Sequence, residues 1–399
     1  MRSALLPVAA TLAVQALMSM ATITLPVLAP EAARDVGVPV AYIGLFVALI
    51  YATGMASGLV SAGLVHRLGA LRVSQLCLLS GAAGLALAAS GWLPLLVLGA
   101  VLIGCGYGPV TPASSHILSR TAPARHLSMI FSLKQTGVPI GGVLAGTLLP
   151  AVALWGSWRA SVLLVAVTCA ACALLIGPLR ATLDTDLRPR APIDLGSVGE
   201  PLRMMMANRT GRVLALSSFF FAAIQLCLAT YLVAFLTREL GYGLVQAGLM
   251  LAAAQAAGIA GRLISGAIAD RSGRPTRVLG VMGCTMGLSA AAAAISLANH
   301  GPDIVTLLVC AAFGASAIGW NGVFLAEVAR QAPPGGVTSA TAGALFVTFG
   351  GILTGPTVFA FLIEGGMSYR TAFMVIAAPA LLCGLLLLWI KPAPPPSPP

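Results

Sequence analysis

This sequence has very little charge. Only 8% of its 399 residues are Asp, Glu, Lys or Arg, against 58% hydrophobic residues, and the mean hydropathy is +0.97. A soluble domain carries about 25% charged residues to keep its surface dispersed, so that class is excluded. Acids number eleven: Glu31, Asp35, Asp184, Asp186, Asp194, Glu200, Glu239, Asp270, Asp303, Glu327 and Glu364. Each falls in a loop or near the end of an apolar run, and none stands at mid-run. Lysine is rarer still, with Lys134 and Lys391 alone. The eight cysteines all fall inside apolar runs and lack the spacing of a zinc site or a disulfide framework. No nucleophile–base pair or metal constellation is visible, so neither an enzyme nor a bound cofactor is expected.

What is present is apolar length. Twelve runs occupy 4–28, 40–64, 73–92, 94–118, 127–150, 160–179, 213–236, 243–268, 277–297, 304–328, 338–363 and 370–390. Each can cross a hydrocarbon core of roughly 30 Å as a helix. The class is an all-α, multi-pass membrane protein, and the runs are numbered below as spans 1 to 12. Met1 and Arg2 ahead of an apolar run suggest a signal peptide cleaved near residues 26–29. The run is too long for a signal core, and its removal would leave eleven spans, so it is read as span 1.

The net charge of +11 would suit nucleic acid, but its distribution follows the membrane instead. With the N-terminus inside, Arg2, Arg67, Arg72, Arg120, Arg125, Arg271, Arg274, Arg277, Arg330 and Lys391 share one side. The connection after span 6 adds Arg180, Arg188, Arg190, Arg203, Arg209 and Arg212, whereas the other side has Arg34, Arg159, Arg238 and Arg370. By the positive-inside rule both termini are expected in the cytoplasm. A bacterial cytoplasmic (inner) membrane is the expected location, with lipid and no nucleic acid as partner.

The polar stretch 180–212 divides the chain into halves, 1–179 and 213–390, followed by a proline-rich tail at 391–399. The halves repeat. At an offset of about 204, Asp35-Val36-Gly37 matches Glu239-Leu240-Gly241; near 210, Gly141-Gly142-Val143-Leu144 matches Gly350-Gly351-Ile352-Leu353. Trp158-Arg159 matches Tyr369-Arg370. Two parallel six-helix repeats around a central site are a transporter architecture.

The loop after span 8 runs from Gly266 through Asp270, Arg271 and Gly273 to Arg274. This spacing resembles the signature loop of the major facilitator superfamily. The resemblance covers essentially the whole chain and implies two pseudo-symmetric six-helix bundles working by alternating access, expected here as a functional monomer. It implies a gating role for Gly266, Asp270, Arg271, Gly273 and Arg274. The copy after span 2 keeps Arg67 and Gly69 but has His66 in place of the acid and Ala62 in place of the glycine.

Two cations stand inside apolar runs. Lys134 lies nine residues beyond Arg125, roughly 14 Å along a helix, and Arg262 lies eight residues before Asp270, about 12 Å. Placing a charge at such depth costs about 2.5–3.5 kcal/mol on insertion scales, so each needs a partner or a job. Neither is demanded by the repeat, which has Gly343 opposite Lys134 and Gly58 opposite Arg262. In the superfamily fold, spans 5 and 8 face each other across the seam, so the resemblance implies that both cations meet one anion. An arginine four residues ahead of a glycine on span 8 also resembles the monocarboxylate transporters and oxalate:formate exchangers. The oxalate exchangers carry their lysine on span 11, whereas here it is on span 5.

Spans 1, 4, 7 and 10 line the cavity in that fold, and supply Gln15, Tyr107, Gln225, and the pair Trp320 and Asn321. Gln255 sits seven residues before Arg262 on the same stripe. His116 reads as an interface residue near the end of span 4. The expected function is secondary active transport of a small organic anion, a monocarboxylate, with a proton or a second anion as co-substrate. Efflux of drugs or hydrophobic compounds is the alternative, although it favours a membrane acid that no mid-run position provides. A non-transporting sensor comes third, because the connection and tail are too short for a signalling domain.

Overall fold

The computed structural model describes residues 2–38, 42–187, 199–296 and 303–390. Arg188, Arg190, Asp194, Lys391 and the tail to Pro399 lie outside these residues, as do the side chains of Arg2 and Asp303. Among the described residues, twelve helical spans are long and apolar enough to cross a membrane. They are Leu5–Val27, Tyr42–Leu59, Ala70–Ala88, Leu93–Thr121, Ala124–Trp155, Trp158–Leu183, Arg209–Arg238, Gln246–Ser272, Pro275–Ala293, Ile304–Gln331, Val337–Glu364 and Tyr369–Trp389. In lipid, a helix is the form that satisfies every backbone amide within its own segment. The ends use side-chain oxygens: Asn208, Ser157 and Ser368 each accept an amide from the first turn that follows.

The chain forms two compact units. The first comprises Met1–Pro123, Leu133–Met204 and Ala332–Phe346; the second comprises Ala124–Ser132, Met205–Gln331 and Val347–Pro399. The beginning of span 5 thus belongs with spans 7 to 10, and the beginning of span 11 with spans 1 to 4.

Between helices that are both apolar, association in lipid comes from close packing at small residues. In the first unit, Gly108 of span 4 lies against the Gly54 carbonyl of span 2, so any side chain there would collide with backbone. Gly141 of span 5 meets the Ala16 carbonyl of span 1 in the same way. The second unit repeats both seams, with Gly314 of span 10 on Ala254 of span 8 and Gly351 of span 11 on Phe219 of span 7. Its core also stacks Tyr231 on Phe359, with ring centroids 4.3 Å apart.

The repeat markers find each other within each unit. Asp35 accepts from Trp158 Nε1 at 3.2 Å and pairs with Arg159 at 2.7 Å. Glu239 accepts the backbone amides of Tyr369 and Arg370. The Arg159 hydrogen bond is the chief reason that the Asp35 carboxyl is held below its ordinary pKa.

Candidate functional site

Span 5 is interrupted at Thr136, between helices Leu127–Gln135 and Gly137–Trp155. Thr136 turns its hydroxyl back to the Leu133 carbonyl at 2.6 Å. Lys134, 1% exposed, stands in the last turn before this interruption. Its ammonium donates to Gln15 Oε1 at 2.6 Å, Gln135 Oε1 at 3.0 Å and Thr111 Oγ1 at 3.2 Å. Thr111 in turn donates to Gln15 Oε1 at 3.1 Å. An ammonium has three donors, and three side-chain oxygens meet them here. Tyr107, one turn before Thr111, is half-buried edge-on to Tyr51, with centroids 6.0 Å apart.

The second unit has a matching interruption. Span 10 breaks at residues 318–320, between helices Asp303–Ala317 and Asn321–Gln331. A break inside a membrane helix frees carbonyls that must find donors. Arg262, also 1% exposed, supplies one: its Nε donates to the Ile318 carbonyl at 2.8 Å. Ser265 approaches the Gly319 carbonyl at 3.5 Å. Gly261 has no side chain to keep span 8 away from Ala315, which brings Arg262 alongside the break. Trp320, fully buried, closes the turn. Its Nε1 and the Asn321 amide both donate to Gln225 Oε1 at 3.1 Å. Gln255 is exposed.

The loop after span 8 is organised by Asp270. Its carboxylate accepts the amides of Ser128 at 3.0 Å and Met129 at 2.8 Å, at the start of helix Leu127–Gln135. An acid at a helix N-terminus satisfies free amides and complements the helix dipole. Arg330 binds the same carboxylate at 3.0 Å, and buried Glu327 accepts from Gln331 and lies 3.7 Å from Arg330. Gly266 and Gly322 both face Ser132, where a side chain would clash. Gly273 ends helix Leu244–Ser272 with φ +62°, the left-handed form glycine tolerates best. Arg271 and Arg274 are exposed. Replacing Asp270 with asparagine is expected to loosen the start of span 5. Hydrogen exchange in the peptide containing Ser128 and Met129 should rise roughly tenfold or more. Unchanged exchange there would remove the cap from the account.

The copy after span 2 lacks this acid, and the connection replaces it. Asp184 accepts the amides of Leu71 at 2.8 Å and Arg72 at 3.0 Å, capping helix Ala70–Ala88. Gly69, with φ +95°, lies under the Asp184 carboxyl, where no side chain would fit. Asp186 pairs with Arg120, and its Oδ2 lies 2.8 Å from His116 Nε2. His116 Nδ1 is 3.2 Å from Thr338 Oγ1, and its ring lies edge-on to His66 at 5.8 Å. Burial alone would raise the Asp186 pKa; His116 and Arg120 outweigh it and hold the carboxyl below its ordinary value. Arg67 is exposed.

Sequence reasoning missed Thr111, Gln135, Ser265, Arg330, Asp184 and Asp186 as members of these clusters. One signal was available: Arg120 and Arg330 stand 210 residues apart, the offset of the later repeat markers.

The model of the Major Facilitator Superfamily matches residues 11–350. The chain is a member of the Major Facilitator Superfamily. Among solved structures of the superfamily fold it is similar to the proton:xylose symporter XylE bound to 6-bromo-6-deoxy-D-glucose. That likeness has a TM-score of 0.73 and 16% identity over 96% of this chain and 94% of that one. The fucose:proton symporter FucP of E. coli gives 0.74 and 17%, over 96% and 98%. The human organic anion transporter MFSD10 gives 0.74 and 15%, over 95% and 98%. At these identities the likeness is one of fold. No curated protein matches the sequence.

Proposed function

We propose that this superfamily member is a secondary active transporter of a small organic anion, a monocarboxylate, working by proton symport or anion exchange. The observation that supports this most is the pair of buried cations. Lys134 and Arg262 are each 1% exposed, each stands beside an interruption of a span, and the repeat has glycine at both places. Intramembrane charges of this kind mark substrate and ion pathways. A carboxylate takes a forked contact from a guanidinium and a point-charge contact from an ammonium. Gln15, Tyr107, Gln225, Gln255, Trp320 and Asn321 would then be the uncharged walls. The loop from Gly266 to Arg274, with Asp270 at its centre, would be the gate, and Arg67 and Gly69 its partial second copy. Both termini would lie in the cytoplasm of a bacterial cell and the working unit would be the monomer. The fold also serves a human organic anion transporter and two proton symporters, so anions and proton coupling are both within its reach.

The test is a thermal-shift screen of purified protein against carboxylates, nitrate, cyanate and neutral sugars. A ligand that binds the folded state raises the transition, by an amount that grows with concentration over Kd. One or more carboxylates should do so and the sugars should not. Stabilisation by hydrophobic drugs with no response to any carboxylate would favour efflux instead.

A further inference from the structure

We propose that the outer face of spans 8, 9 and 10 binds an anionic phospholipid, with its phosphate on Arg274 and Arg277 and an acyl chain in the groove below them. The groove has a volume of about 430 Å³ and lies within the second unit. Its floor is made of small residues, among them Gly261, Ala312 and Ala315, and its walls are Ile264, Ile268 and Val281. Those walls are 58%, 50% and 56% exposed, on helices that cross the membrane, so the groove opens to lipid. Along span 8 it runs from Ser272 to Gly261. That length is about 17 Å at 1.5 Å per residue, close to half of a roughly 30 Å hydrocarbon core. It therefore has the reach of one leaflet.

Arg274 and Arg277 stand at one end of this groove and also line a second cavity of about 670 Å³, together with Arg125, Arg330, Asp270 and Glu327. The two acids there are engaged: Asp270 by Arg330 and two backbone amides, Glu327 by Gln331 and Arg330. Arg125, Arg274 and Arg277 are exposed and form no ion pair among the described residues. Helix Pro275–Ser296 also begins between the two arginines, adding the positive end of its dipole. An apolar trough of one-leaflet length ending in uncompensated guanidinium groups is complementary to a lipid whose headgroup carries net negative charge. A choline headgroup would bring its own cation and gain less.

The experiment is native mass spectrometry of the full-length protein in detergent, titrated with dioleoyl phosphatidylglycerol or dioleoyl phosphatidylcholine. Phosphatidylglycerol should be retained in preference, and the double variant Arg274→Gln, Arg277→Gln should bind it about 30-fold more weakly, at about 1 kcal/mol for each charge removed. Ile268→Trp, which fills the groove and leaves both arginines, should weaken retention as well. Equal retention of the two lipids by the wild-type protein would overturn the proposal, as would a double variant that keeps phosphatidylglycerol unchanged. Complete displacement of the lipid by soluble glycerol phosphate would also overturn it, since the site would then hold a headgroup anion without the chain.

Discussion

Replacing Lys134 with glutamine is expected to lower carboxylate uptake into proteoliposomes by roughly 30-fold or more. Truncating one partner of a buried, hydrogen-bonded charge contact costs about 2–5 kcal/mol, and each 1.4 kcal/mol is a factor of ten. The glutamine amide can still donate to Gln15, Gln135 or Thr111, whose oxygens now receive the ammonium. The substitution therefore removes charge while keeping part of the hydrogen-bonded cluster, and detergent gel filtration should show an intact monodisperse protein. Lys134→Arg keeps charge but replaces three tetrahedral donors with a planar fork, and should recover only part of the uptake. An efflux pump for hydrophobic compounds would be indifferent to both changes. Uptake by Lys134→Gln within twofold of wild type would sink the assignment of Lys134 to the substrate.

The parts of this protein legible in its sequence were those set by local composition. Hydropathy over about twenty residues is enough to place a span, and all twelve expected runs correspond to helices in the structure. Repeat markers were legible because the same short patterns recur, and Asp35 and Glu239 indeed meet the Trp158-Arg159 and Tyr369-Arg370 pairs. The interruption at Thr136 is marked by Pro139, which has no N–H to bond the Gln135 carbonyl one turn back. The break at residues 318–320 was not legible, since no proline marks it and its carbonyls take their donors from span 8. Lys134 was conspicuous as a rare residue type in an apolar run. Of its acceptors, Gln15 was named for an independent reason, while Thr111 and Gln135 were not. The substitution of the first loop's acid was hidden for another reason. Asp186 reaches Arg120 from a connection that reads as a spacer, and no periodicity links residues 66 positions apart.

Arg262 carries the second large expectation, because the proposed function would give its guanidinium a duty separable from the contact it makes in the structure. Nε holds the Ile318 carbonyl at the break in span 10, while the proposed anion would take the forked face of the same group. Arg262→Ala removes both. It should abolish uptake and also release the break, so that hydrogen exchange rises in the peptide spanning residues 318–324, where Phe324 closes the next turn onto the Trp320 carbonyl. Arg262→Lys separates them. Lysine retains the charge and can reach one acceptor but cannot serve carbonyl and carboxylate with two fixed edges. Uptake should then fall about tenfold or more, through a raised KM, as expected when a charge-assisted contact of about 1.5–3 kcal/mol is degraded. Exchange at the break should rise less than in the alanine variant, because a donor is still present. If Arg262→Gln, which keeps a donor for the Ile318 carbonyl but no charge, transports like wild type while Arg262→Ala both unfolds the break and stops uptake, Arg262 is a cap for span 10 alone. The anion would then need neutral donors in place of a second cation, and the Trp320–Gln225–Asn321 cluster that adjoins the break would become the place to search, since its donors already converge on one amide oxygen that a substrate could displace.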